Sequence, residues 1–187
     1  MHALHLYKTE SIDTLAWPVV ENTITVNSPA VAVFTDFKQH LPHVLDARTP
    51  ATKVDAIMRQ SHVRMMLVVN SENRFVGIVT SHDVGEQQLI QRMTELKVKR
   101  EELTVHDFVR PKTSLLSFDF SELVRASVGD VIETLKDYGQ HHCLVMERDT
   151  HEIRGVISVS DIARELKLPL DIQGRPTFAE LITILAA

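Results

Sequence analysis

Two short stretches of this chain carry the same side chains in the same order: Gly77-Ile-Val-Thr80-Ser-His-Asp83 and Gly155-Val-Ile-Ser158-Val-Ser-Asp161. In each, a hydroxyl ends an apolar run and a carboxylate follows three residues later. One chemistry open to this pattern is local. Ser/Thr-x-x-Asp before a helix resembles a capping box, in which the hydroxyl accepts an amide and the acid bonds back. The other uses the same geometry on a ligand. Free amides and the positive dipole end of a helix attract phosphate, and the hydroxyl adds a donor. The acid, one turn in, is placed to accept both hydroxyls of a ribose diol. Its charge would repel a neighbouring phosphate, so the two groups must serve opposite ends of a nucleoside. The readings are compatible, because a ligand can rearrange a cap.

The elements that must position these residues also occur twice. Val54, Ile57 and Met58 mark one face of a short helix, as Val131, Ile132 and Leu135 do further on. An apolar run too short for a helix follows each, Met66 to Val69 and Cys143 to Met146. After a polar turn comes a second strand, Phe75 to Val79 and Ile153 to Ile157, with Gly77 and Gly155 at equivalent places. The copies lie 77 residues apart before the turn and 78 after it, a difference that one residue at a hairpin tip explains. Beyond the first motif, Leu89, Met93, Leu96 and Leu103 predict a long helix, with Glu95 one favourable turn before Lys99. Beyond the second, Pro169 limits the helix, and Phe178 to Leu185 reads as a closing amphipathic helix after the Gly174-Arg-Pro176 break.

Asp36-Phe37 aligns with Asp107-Phe108 in the preludes to the copies, and the second prelude is then longer by 6 residues around Ser114 to Phe120. That extra length is expected to cover or reshape the Asp83 site. Ile24 to Val26 and Val31 to Phe34 read as strands about a turn at Asn27-Ser-Pro29. The organisation predicted is an N-terminal extension over 1–33, a first repeat with its following helix over 34–104, and a second repeat with the C-terminal helix over 105–187. A single copy leaves one sheet face bare, and two can cover each other.

Composition limits the function classes. Of the 187 residues 44% are apolar and 24% charged, the balance of a soluble globular protein. A net charge of -5 gives no field for a polyanion, so nucleic acid is not an expected partner. No run suits a signal peptide or a membrane span, which predicts a cytoplasmic protein without a membrane partner. Cys143 is the one cysteine, which rules out an internal disulfide, and its apolar setting predicts an inert thiol.

The order helix, strand, turn, Gly-apolar-apolar-Ser/Thr-x-x-Asp, helix, written twice over roughly residues 34 to 168, resembles a tandem pair of cystathionine-β-synthase (CBS) domains, the Bateman module. The resemblance implies an α/β (α+β) fold of two β-α-β-β-α repeats about a pseudo-twofold axis. It further implies a regulatory module, not an enzyme, that binds an adenosine nucleotide of AMP, ADP or ATP type between the repeats and requires no cofactor. On that basis Asp83 and Asp161 hold ribose hydroxyls, and Thr80 and Ser158 reach ribose or phosphate. Val63 and Arg64 face the Asp161 site, Gln140 and His141 face the Asp83 site, and the prelude backbone near Lys38 and Val109 completes the walls. Such modules often form homodimers through helices and act on a separate regulated protein, here unknown. The family often has proline early in the first strand, where this chain has Leu67 and Leu144, a change expected to alter strand packing more than binding.

Other candidates are weaker. Adjacent strand residues point to opposite faces, so His141 and His142 are not expected to share a metal, and His40 and His43 lack a supporting motif. Arg64 reads either as an exposed residue at a strand start or as a phosphate clamp, for which a guanidinium is well shaped. Met65 and Met66 are expected in the core between the copies, His82 faces solvent or the partner copy, and Trp17-Pro18 anchors the N-terminal segment. No nucleophile-base set, P-loop or dinucleotide fingerprint is present. The alternative to a ligand sensor is a ligand-free interaction module whose two motifs are helix caps only.

Overall fold

In the computed structural model, residues 5–6, 8–16, 23–168 and 177–185 are described. The first half runs through β1 (Phe34–Asp36), β2 (Val44–Asp46), α1 (Ala51–Gln60), β3 (Met65–Val69), β4 (Phe75–Thr80) and α2 (Glu86–Leu96). The second runs through β5 (Arg110–Pro111), β6 (Ser117–Asp119), α3 (Phe120–Leu123), α4 (Val128–Leu135), β7 (His142–Glu147), β8 (Glu152–Ser158) and α5 (Val159–Glu165), and α6 (Phe178–Leu185) follows. Val54 and Met58 on α1 are buried, as are Val131, Ile132 and Leu135 on α4, which is the stripe that their spacing predicts. The two hairpins, β3–β4 and β7–β8, share a register irregularity after Val68 and after Val145. The fold is the α/β pair of repeats expected.

The repeats are not closed on themselves. One sheet has the order β2-β3-β4-β5 and the other β1-β8-β7-β6, so each repeat lends its prelude strand to the sheet of the other. The exchange begins before the strands. Pro29 bridges Ser127 at the start of α4, and Thr104 bridges Pro50 at the start of α1. Consequently one apolar core joins Ala30 and Val33 to Val131, Ile157 and Ile162, and the other joins Leu103, Val105 and Phe108 to Val54, Met58 and Val79. A third cluster, with Met65, Leu67, Ile78 and Leu144, lies between the sheets.

Glycine makes the exchange possible. A Cβ on Gly77 would meet the Arg110 carbonyl, and one on Gly155 the Thr35 carbonyl, because the borrowed strand runs directly over each. The borrowed strand is also pinned by charge. Arg154 of β8 donates to both carboxylate oxygens of Asp36 of β1, at 2.7 and 2.8 Å, and lies 4.3 Å from the Phe120 ring centroid. The Arg154 hydrogen bonds pull the Asp36 carboxyl down to about 2, against the opposing effect of desolvation.

Several expectations change here. The sheet register equates Thr35 with Arg110 and Asp36 with Pro111, not Asp36-Phe37 with Asp107-Phe108. The extra residues of the second repeat instead lie between β6 and α4, where α3 forms. Ala30–Val33 is a 3-10 turn, so extended structure begins only at Phe34, and Ile24 to Val26 forms no strand. Helix α2 stops at Leu96 because Lys97 turns left-handed at φ 55°, which leaves Leu103 off the helix. Met65 lies between the sheets, but Met66, pointing the other way, enters the core of Val54, Met58 and Val79. Leu67 and Leu144 both pack between the sheets, and the Leu67 amide donates to the His43 carbonyl at 2.9 Å, a bond proline cannot make. Helix α6 buries Phe178 and Leu181 as the closing segment. Trp17-Pro18, Pro169 and the Gly174-Arg-Pro176 break lie outside the described residues.

Candidate functional site

The first motif closes a full capping box and the second closes half of one, its Ser158 amide making no bond to Asp161. Thr80 donates to Asp83 Oδ2 through its amide (2.8 Å) and hydroxyl (2.7 Å), and Ser158 Oγ donates to Asp161 Oδ2 at 2.6 Å. Ser158 also accepts the Asp161 amide at 3.0 Å and is the N-cap of α5. In the first repeat the box closes a turn, and α2 begins later, after Gly85. These bonds alone do not mark a ligand site. Thr104 with Asp107 and Ser127 with Asp130 make the same pattern elsewhere in the chain, and neither pair borders the space between the repeats.

What separates the two repeated motifs from those caps is the cavity beside them. A cleft of about 370 Å³ opens where the ends of β4 and β8 approach each other. The first repeat contributes Arg64, Thr80, Ser81 and His82, and the second contributes Gln140, His141, His142 and Ser160. Arg110, on the borrowed strand β5, completes the wall. The main chain holds the two sides alike: the Ser81 amide donates to the Arg64 carbonyl at 2.9 Å, and the Val159 amide to the His141 carbonyl at 3.0 Å.

The cleft is cationic. Arg64 is half-buried, and its guanidinium forms no ion pair among the described residues. Desolvation pushes the His142 imidazole down to about 4, with His141, Arg110 and Arg64 adding to the shift and Asp161 opposing it. His142 is therefore neutral near pH 7. A half-buried cation without a counter-ion favours an anionic ligand, and hydroxyls and imidazoles around it supply further donors.

Of the sequence-predicted residues, Arg64, Thr80, Gln140 and His141 line one space. Ser158 and Asp161 do not line it themselves; Ser158 pairs with His142, which does, and Ser160 of the same motif reaches the space. Asp83 points away toward Arg92 and Phe108 and is held by Arg110, and Val63 packs against the core of Val54, Met58 and Val79. Lys38 pairs with Glu147 at 2.7 Å in a separate cleft at the hairpin ends. His141 and His142 both reach the cavity, because β7 begins only at His142 and the alternation of a strand does not yet apply. His82, although exposed, borders it too. Arg110, His142 and Ser160 were not foreseen. Ser160 lies inside the motif already singled out, and Arg110 needed the strand exchange to be seen. Burial pushes the Cys143 thiol up to about 11, which fits an inert core residue. Among the described residues no group of three metal-ligating side chains comes together, and no helix is long and apolar enough to cross a membrane.

Two α/β repeats that exchange strands around a shared cleft define a paired, pseudo-symmetric module. The CBS domain family model matches residues 23–86 and 123–168, more than half of the chain, and the protein belongs to that family as a tandem pair of CBS domains. Solved structures share the fold. An uncharacterized conserved protein from Pyrococcus horikoshii superposes with TM-score 0.57 at 18% identity, covering 79% of this chain and 98% of its own. CBSX2, solved in complex with AMP, gives 0.54 at 17% identity over 73% and 94%. CbpB, solved in complex with c-di-AMP, gives 0.50 at 14% identity over 76% and 86%. No curated protein matches the sequence.

Proposed function

We propose that the protein is a non-catalytic regulatory sensor, a Bateman module that binds an adenosine nucleotide of AMP, ADP or ATP type between its two CBS domains. The observation that carries the reading is Arg64, half-buried in the inter-repeat cleft with no counter-ion among the described residues. Its guanidinium and His141 take the phosphate, Thr80 and Ser158 add hydroxyls, and the Asp161 carboxylate accepts the ribose diol. The phosphate and the carboxylate then serve opposite ends of the ligand. Two proteins of this fold, CBSX2 and CbpB, were solved with AMP and c-di-AMP, both of which contain adenosine.

A ligand held by both repeats favours one relative orientation of them, and a partner protein reads that orientation. In this reading the protein works in the cytoplasm as a homodimer. Helix α2 supports that assembly, since Ile90 and Leu96 are exposed on it at 55% and 46%.

A second reading, caps only, draws on the hydrogen bonds within both motifs, but it leaves Arg64 without a role. A thermal-shift panel separates the two. A nucleotide at 100 times its dissociation constant adds about 2.7 kcal/mol of stability when it binds only the folded state. AMP, ADP or ATP is expected to raise the melting temperature, and Asp161→Ala to abolish the shift. If none of these compounds raises it, or if Asp161→Ala keeps the full shift, the caps-only reading stands.

A further inference from the structure

Among the differences between the exchanged strands, the one at Thr35 and Arg110 bears on the cleft. Arg110 pairs with Ile78 on β4, and Thr35 pairs with Val156 on β8, each next to the equivalent glycine. From that position the Arg110 guanidinium donates twice to Asp83 Oδ1, through Nε at 3.0 Å and Nη2 at 2.7 Å. The other oxygen, Oδ2, is occupied by the Thr80 amide and hydroxyl. Both oxygens of Asp83 are thus engaged, and its side chain is 13% exposed. Charge-assisted bonds of this kind are among the stronger polar contacts.

Thr35 has neither the reach nor the charge to do the same to Asp161. Asp161 instead meets Arg164 of its own helix at 3.0 Å, an arginine 63% exposed. Exposed pairs of this spacing contribute little and are readily given up.

We infer that this CBS pair is a one-site binder: Arg110 latches Asp83 and closes its half to a ribose diol, while Asp161 receives the diol of a single nucleotide. The inference rests on the nucleotide reading above and deepens it. A diol entering the Asp83 half must displace the two guanidinium hydrogen bonds that hold Asp83 Oδ1, in competition with an arginine already in place and 47% exposed, while Asp83 itself is nearly buried. With Arg110 neutralised by Asp83, Arg64 remains the uncompensated cation and draws the phosphate.

Calorimetric titration of the full chain with AMP tests the latch by stoichiometry. The wild type is expected to bind one AMP per chain and Arg110→Thr two. Thr35→Arg, which places a latch opposite Asp161, is expected to weaken binding at least tenfold. Two AMP in the wild type overturns the latch and leaves the nucleotide reading in place. So does a folded Arg110→Thr that still binds one. If Arg110→Thr does not fold, Thr35→Arg decides, and unchanged affinity overturns the latch. A wild type that binds none of AMP, ADP and ATP overturns the nucleotide reading, and the latch with it.

Discussion

Arg154 and His142 show how single side chains tie this fold to pH. Asp36 and Arg154 are 10% and 14% exposed, so removing the guanidinium strands a nearly buried carboxylate. Arg154→Met is expected to cost about 2 kcal/mol in urea denaturation at pH 7, since the pair is hydrogen-bonded on both oxygens. His142 acts at higher pH. Its folded value is about 4 against an ordinary 6.5, so the unfolded chain binds the proton first. Stability therefore falls as pH drops from about 6.5 toward 4, and His142→Gln should flatten that part of the profile. A second loss follows as pH falls from 3.8 toward 2, where Asp36 is protonated and its bond to Arg154 weakens. Urea midpoints measured from pH 7 to pH 2 check both segments.

At the scale of elements, the repeated hairpins were legible because their apolar runs, polar turns and glycines recur at nearly constant spacing. The partner of each prelude strand was not. Phe34–Asp36 and Arg110–Pro111 are too short to carry a periodic signal, and nothing local says that they cross to the other repeat's sheet. Aligning the preludes on Asp-Phe therefore set them out of register, and Arg110 was missed as a wall of the cleft. The same shortness makes the exchange dependent on Gly77 and Gly155. Neither has a left-handed backbone; each is needed because a carbonyl of the borrowed strand occupies the place of its Cβ. Gly155→Ala should push β1 off β8 and cost about 2 kcal/mol or more, as overpacking does. Hydrogen exchange should show the loss of protection concentrated in residues 34–36, which pair with β8.

For the whole molecule, strand exchange makes each core a joint product of both repeats, so the cleft between them is held from two sides. The motifs that announced the site lie partly beside it. Thr80 and Ser160 line the cavity, Asp83 is turned away, and the uncompensated charge sits on Arg64. Sequence could place Arg64 at a strand start but could not say whether a carboxylate would meet it, because that depends on which strands cross. The measurement that bears most directly on the nucleotide reading is calorimetric titration of the wild type and Arg64→Ala with AMP at pH 7. Saturable binding by the wild type, weakened at least tenfold in a folded Arg64→Ala, is the predicted result. Equal affinity in the two proteins, or no binding of AMP, ADP or ATP by the wild type, would contradict it.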